Sequence, residues 1–517
     1  MSQQQDNNKR IAKNTLFLYL RQIFVMAVAL YTSRVVLATL GVIDYGIYNV
    51  VGGVVAMFSF INAAMTTSTQ RFLTFELGKK DYLQLAKVFA ASLNVHYIIG
   101  LVGVFLGETI GLWFLNYELN IPADRMTAAN WVYQCSVLSF FLSITQVPYN
   151  ASIVSHEKMN IFAYFSIIDV VLKLLIVYLL VISPFDKLIF YAILILAVTT
   201  FSRLLYRFYC RKHFKECRPR LFWDKSLYQQ LTGFAGWNLL GSIAWLLRGQ
   251  GMDIVINLFF GPALNAAKGV ANSVTNAVNT FVSNFMTALN PQITKNYAQK
   301  DINTMETLCY RACRYSFILL FAIAFPLIMN IDFVLGIWLV EVPKYTAIFV
   351  ILIIADSLVN AALGSSPFIT AMMATGNIRN YQIVVSLIIM MIIPISYVIL
   401  KLGGNPPSIF YVMILISFIS DIARFYYCNK QIGFKYSSLI KHVILPIVCG
   451  LIVALPIPIL LRETVWVKSN WINFFGLCVI CEVTLGIAAY YIIIEKHERT
   501  VIMTAIKNKL LRVIAKQ

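Results

Sequence analysis

Apolar residues run along this chain in blocks of twenty or more, divided by short polar connections. A bilayer span needs about 20 apolar residues, so the pattern predicts about fourteen membrane helices. They fall at 15–39, 46–69, 88–115, 127–154, 161–183, 187–209, 229–259, 264–289, 308–339, 346–374, 380–401, 407–428, 440–461 and 472–494. The pattern is also written twice. Pro148-Tyr149-Asn150-Ala151-Ser152-Ile153-Val154-Ser155 leaves one span for a polar loop, and Pro367-Phe368-Ile369-Thr370-Ala371-Met372-Met373-Ala374 stands at the same point of another. Met65-Thr66 runs into Gln70-Arg71, as Met286-Thr287 runs into Pro291-Gln292. Both pairs are offset by roughly 220 residues, the mark of a duplicated six-helix unit.

The expected fold is therefore an all-α polytopic membrane protein of about fourteen helices. Its expected parts are an N-terminal six-helix lobe (1–210), a basic cytoplasmic linker (211–228), a C-terminal six-helix lobe (229–430), and an extra helix pair with a basic tail (431–517). Membrane proteins built from repeated halves are usually transporters, with a substrate site between the halves.

Composition agrees. The chain is 59% hydrophobic with 13% charged residues, about half the charge of a soluble domain, and its mean hydropathy is +0.74. The net charge of +19 suggests nucleic acid until its placement is read. With the N-terminus inside, about 30 Lys and Arg fall in inner connections and about 6 in outer ones, the positive-inside signature. Both termini are expected in the cytoplasm, the basic face toward anionic lipid headgroups, and no nucleic-acid partner. Residues 1–14 are polar and lack a signal-peptide cleavage site, so the first span reads as a retained anchor. The outer connections 41–45, 117–125, 183–187, 261–263, 341–345, 402–408 and 462–470 are too short for a catalytic domain. None holds a cysteine, which leaves no disulfide framework, and Cys478 and Cys481 read as packing residues inside the last span. The five histidines lack metal-ligand spacing, and no phosphate-binding glycine loop or nucleophile–base arrangement is present. Neither an enzyme, a metal nor a cofactor is expected. Segment 71–87 reads equally as an interfacial helix or a solvated helix extension.

Charges inside spans are costly and mark either function or pairing. Arg21, Arg203 and Arg424 lie near inner ends and can snorkel. Asp169 with Lys173 and Asp421 with Arg424 have the spacing of same-face pairs. Arg34, Arg248 and Lys268 sit deeper. Asp253 and Lys268 flank the Gly261-Pro262 turn and can pair across it, which leaves Arg248 and Arg34 without an obvious partner. An unpaired buried cation implies an anionic ligand or a water-filled cavity. At about 100° per residue, Asn265, Lys268, Asn272, Thr275, Asn276, Asn279 and Ser283 share one third of the eighth helix. Asn238, Ser242, Trp245 and Arg248 share one face of the seventh. Such stripes serve as helix–helix glue. They also supply what a sugar-phosphate headgroup needs: amides, hydroxyls, an aromatic face and guanidinium donors.

The segment Asn14-Thr15-Leu16 through Ser33-Arg34-Val35-Val36-Leu37-Ala38-Thr39-Leu40-Gly41, then Asp44-Tyr45-Gly46-Ile47-Tyr48-Asn49-Val50, resembles the first hairpin of bacterial polysaccharide flippases. These are the O-antigen flippases (Wzx type) of the multidrug/oligosaccharidyl-lipid/polysaccharide exporter superfamily. Pro148-Tyr149-Asn150-Ala151 followed by His156-Glu157-Lys158, and Gly261, carry the same resemblance, which covers about residues 10 to 430. It implies that a polyprenyl-diphosphate-linked oligosaccharide is turned from the inner to the outer leaflet of the bacterial cytoplasmic membrane by alternating access, for surface-glycan assembly. Implied partners are membrane lipids and a glycan polymerase or glycosyltransferases. Arg34, Arg248 and Lys268 would then hold the headgroup with Asn272, Asn276, Asn238 and Trp245. Ion coupling in the family makes Asp253, Asp356 and Glu482 the candidate carboxylates. The competing expectation is an ion-coupled multidrug antiporter of the same superfamily, which favours an apolar aromatic cavity with an essential carboxylate.

Overall fold

In hydrocarbon each backbone N–H needs a partner within its own segment, so runs of Leu, Ile, Val and Phe fold as helices. A computed structural model describes residues 16–500 except 29–30, 33–34, 37–38, 41–43, 45–46, 49–50, 52–58, 118–120, 219–221, 223, 261, 340–341, 465–470 and 497. Every regular element among the described residues is helical. In chain order they are α1 Leu16–Val28, α2 Ser59–Lys79, α3 Tyr82–Tyr117, α4 Ala123–Ser155, α5 Met159–Ile182, α6 Lys187–His213, α7 Lys225–Phe260 and α8 Pro262–Ala298. There follow α9 Ile302–Met329, α10 Ile331–Trp338, α11 Thr346–Ala362, α12 Ser365–Thr375, α13 Arg379–Lys401, α14 Ser408–Ile432, α15 Tyr436–Thr464 and α16 Trp471–Ile493. Ten helices among the described residues are long and apolar enough to cross a membrane, or eleven with α11 and α12 counted as one span bent by 48°. The three other expected spans are 15–39 and 46–69, partly outside the described residues, and 264–289, which is the asparagine-rich α8.

The duplication is visible in where helices stop. The ends of α2 and α8, the starts of α3 and α9, the ends of α4 and α12 and the starts of α5 and α13 are each separated by about 220 residues. The turns match as well. Lys80 (φ 60°) closes α2 and Lys300 (φ 61°) closes α8. Asp81 N–H donates to the Glu76 carbonyl at 3.2 Å, and Asp301 N–H to the Asn296 carbonyl at 2.9 Å. Both are left-handed caps that satisfy the last carbonyls of a helix. The Asp81 carboxylate then accepts from Gln84 N–H at 2.9 Å and starts α3. Glu157 (φ 58°) and Gly376 (φ 78°) turn the chain after α4 and α12.

Packing divides the chain into two compact units. The first comprises Met1–Ile243, Thr287–Asp301 and Gly376–Gln382; the second comprises Ala244–Met286, Ile302–Thr375 and Ile383–Gln517. In the first, α4 packs against α2, α3 and α6. Its Tyr133 hydroxyl donates to the Gly107 carbonyl at 2.6 Å, in a π-helical turn of α3. The Glu157 carboxylate, 2% exposed, accepts from Lys295 Nζ at 2.5 Å and Gln292 Nε2 at 2.6 Å. On the outer connections Arg125 bridges Asp44 and Asp186. In the second unit, α11 packs between α9 and α14. The appended α16 packs on α15 and α9, where the buried Arg314 donates to Glu495 at 2.6 Å, to Glu498 at 3.0 Å and to the His442 carbonyl at 2.7 Å. The expected helix-face pairs are present: Asp169 with Lys173 at 2.8 Å, and Asp421 with Arg424.

Candidate functional site

Within the second unit α7, α8, α9, α11, α12 and α14 line an open cavity of about 610 Å³. Its α7 wall begins with local backbone chemistry. Leu247-Arg248-Gly249-Gln250-Gly251 winds as a π-helical turn, and such single-turn insertions recur at functional sites because they re-aim side chains. At Gly251 a Cβ would meet Ile393 Cδ1 at 2.4 Å, so a side chain there would require the end of Ile393 to move. The Gly249 carbonyl accepts from Lys268 Nζ at 2.9 Å, and the same ammonium donates to Asp253 at 2.8 Å. The expected pair across the α7–α8 hairpin is thus in place.

Arg248 differs from expectation. It is not an unpaired cation: its guanidinium donates to the Asp356 carboxylate on α11, 108 residues away. Both side chains are 7% exposed. Local spacing along the sequence cannot show a partner so distant. Asp356 accepts further from the Ser417 hydroxyl at 2.6 Å and the Asn360 amide at 3.2 Å. The Arg248 guanidinium also lies 4.7 Å from the Trp245 ring centroid, a cation–π contact.

The α8 stripe is the second wall. Lys268, Asn272, Thr275, Asn276 and Asn279 line the cavity, at the helical spacing the sequence predicts. Thr275 turns its hydroxyl back to the Ala271 carbonyl at 2.8 Å, and Asn279 donates to Ser357 at 3.0 Å. The first is a bond within α8, and the second ties α8 to α11. The other polar groups of the wall are Ser357, Asn360, Ser365 and Ser366 on α11 and α12, with Ser316 on α9, and between them Val282, Leu320, Ile353, Phe410 and Met413 supply apolar surface. Asn360, one turn after Asp356, and the Ser365-Ser366 pair join the site as well, marked in the sequence only by their polarity within an apolar run.

The structure brings Arg248, Lys268, Asn272, Asn276, Trp245 and Asp356 to one cavity, with Asp253 behind Lys268. Asn238 lies apart in the first unit, where it accepts from Gln382 at 3.5 Å. Glu482 is exposed on α16, outside the cavity lining. Arg34 lies outside the described residues. Among the described residues no group of His, Cys, Asp and Glu could hold a metal ion.

No family model matches the sequence, and no curated protein does. Solved structures do match. An outward-facing multidrug resistance MATE family transporter of the MOP superfamily aligns with a TM-score of 0.70 at 12% identity, over 83% of this chain and 96% of the other. A MATE transporter in the bent conformation aligns with a TM-score of 0.70 at 12% identity, over 84% and 97%. A MOP superfamily transporter from Pyrococcus furiosus, described as having a binding pocket of reverse polarity, aligns with a TM-score of 0.66 at 12% identity, over 83% and 96%. The chain therefore has a polytopic transporter fold. More narrowly, it is the fold of the MATE transporters of the MOP superfamily, and these neighbours are transporters rather than enzymes.

Proposed function

We propose that this chain is a flippase that turns a polyprenyl-diphosphate-linked oligosaccharide from the inner to the outer leaflet of the bacterial cytoplasmic membrane, by alternating access. The observation that carries the reading is the cavity wall. Asn272, Asn276, Asn279, Asn360, Ser357, Ser365 and Ser366 face it together with Trp245. Amides and hydroxyls suit sugar hydroxyls, and an aromatic face suits a sugar ring. A multidrug antiporter would favour an apolar cavity around a carboxylate available for exchange, whereas Asp356 is engaged by Arg248. Arg34 joins the site on sequence grounds; of the ion-coupling candidates Asp253, Asp356 and Glu482, the first two are held by Lys268 and Arg248, which leaves Glu482 as the carboxylate for that role in this reading. Surrounding lipids and a glycan polymerase or glycosyltransferases are the partners in this reading. The two helices after the repeat fit a substrate whose lipid tail stays in the bilayer. Deleting the chain from its host should strand lipid-linked oligosaccharide on the inner leaflet and abolish surface glycan, as read by leaflet-selective labelling. Surface glycan at the normal level would refute the proposal.

A further inference from the structure

We infer that the cavity in the second unit takes the uncharged sugars of the ligand and not its diphosphate. This rests on the flippase reading and specifies which part of the molecule this cavity recognises. Arg248 and Lys268 are the cations of the lining, and each is neutralised by a carboxylate of the chain itself, Asp356 and Asp253. Lys268 spends a second donor on the Gly249 carbonyl. Arg248 is 7% exposed and Lys268 4%. A diphosphate that took the edge of the guanidinium now held by Asp356 would have to displace that buried carboxylate. That would leave Asp356 charged and unpaired inside the protein, the costliest of the available arrangements. With these pairs intact both cations of the described lining are neutralised, Lys268 by a carboxylate that lies behind it.

The uncharged groups are in the opposite condition. Asn360 uses its amide N–H groups on the Asp356 carbonyl at 2.7 Å and on its carboxylate, while its Oδ1 is buried with no hydrogen-bond partner. The Ser316 hydroxyl is likewise buried and unpartnered. Asn272 and Asn276 line the cavity from the same face of α8. A buried amide oxygen without a donor costs about 1–3 kcal/mol. The open capacity of this site is therefore for neutral donors and acceptors. Hydroxyl and acetamido groups of sugars have both functions on one ring, and Trp245, 45% exposed, offers an aromatic face beside them. The volume of about 610 Å³ is that of a pocket for a small ligand, of the order of a few sugar rings.

The test uses the full chain in lipid nanodiscs, with Trp245→Phe defining the fluorescence that belongs to Trp245. Three probes are titrated: an uncharged oligosaccharide of N-acetylglucosamine, inorganic pyrophosphate, and tetraphenylphosphonium as a lipophilic cation. The expected result is saturable quenching of Trp245 by the oligosaccharide, undisturbed by millimolar pyrophosphate. Asn272→Ala or Asn276→Ala should weaken binding about tenfold, the worth of one hydrogen bond. Competition by pyrophosphate would overturn the inference and leave the flippase reading standing. Binding of tetraphenylphosphonium without binding of the oligosaccharide would overturn both. Absence of quenching by the oligosaccharide in the wild-type chain would also overturn the inference, whatever the variants do.

Discussion

Gly364 sets the bend between α11 and α12, and with it the position of Ser365, Ser366 and Pro367 on the cavity wall. Its φ is +75°, and a Cβ there would stand 2.5 Å from Cys313 Sγ and 2.6 Å from the Phe368 ring. Gly433, which caps α14, has φ +92° but open space around it. The two glycines therefore separate backbone strain from crowding. Gly433→Ala should cost only the left-handed penalty, about 1–2 kcal/mol. Gly364→Ala should cost visibly more, because a thiol and a ring must also move in a closely packed interior. Thermal midpoints of the two purified variants decide the matter; equal shifts would contradict the crowding argument. At this scale the sequence was uneven as a guide. Helix periodicity put Lys268, Asn272, Asn276 and Trp245 on faces that do line one cavity. The pairing of Arg248 with Asp356 was not legible, because that contact joins helices remote in sequence and no local spacing rule reaches it.

Among the elements, helix extents were the easiest to read, since long apolar runs in a membrane have no other fold open to them. Their irregularities were harder. The π-helical turn at Leu247–Gly251 looks in sequence like a glycine-weakened stretch of ordinary helix. The break at Leu363-Gly364 lies in a run whose first-repeat counterpart, α4, continues unbroken through Pro148. The second copy has Gly364, at φ +75°, where α4 has Ile144-Thr145. How the outer helix starts are tied together bears on pH. Asp186 caps α6, accepting from Leu188 N–H at 3.0 Å and Ile189 N–H at 3.1 Å, and it also accepts from Arg125, which holds Asp44 as well. Burial pushes the Asp186 carboxyl up, but the hydrogen bonds from Arg125 and the two backbone N–H groups prevail and hold it below the usual carboxylate range. A carboxyl depressed by folding stabilises the folded state above its unfolded pKa, about 3.9. That contribution is lost as pH falls through the folded value. Arg125, raised chiefly by its hydrogen bond to Asp186, stays charged across the same range. Stability from this cluster should therefore be constant from pH 7 to about 5 and decline below about pH 4. Asp186→Asn should lower the thermal midpoint at pH 7 and shrink its loss on acidification; an unchanged acid limb would exclude this role.

On the scale of the whole molecule, the duplication was the strongest thing the sequence offered, and helix ends and left-handed caps repeat it with the same offset. The matching Lys80-Asp81 and Lys300-Asp301 turns were present in the sequence as two Lys-Asp dipeptides, and went unread because their meaning depends on the backbone conformation. Packing, however, does not follow the repeat boundary. The first unit draws Thr287–Asp301 and Gly376–Gln382 from the second copy. In it Gly78 lies so close to α8 that a Cβ would meet Ala298 at 2.7 Å, and the buried Glu157 is neutralised by Lys295. An N-terminal fragment ending in the connection after α6 would keep Glu157 and lose Lys295 and Gln292. A carboxylate that loses its partner in a buried setting costs about 3–5 kcal/mol, on top of the lost packing against α8. Cutting the chain between α6 and α7 should therefore yield an N-terminal half that is degraded when expressed alone and accumulates when the C-terminal half is co-expressed. Replacing Lys295 with Met in the C-terminal half should reduce that rescue, and adding Glu157→Gln to the N-terminal half should restore part of it, because the replacement removes the charge that needs a partner. Half-lives of the fragments in pulse–chase measurements read all three outcomes. An N-terminal half as long-lived alone as in the pair would mean that the first unit does not need the segments it takes from the second copy.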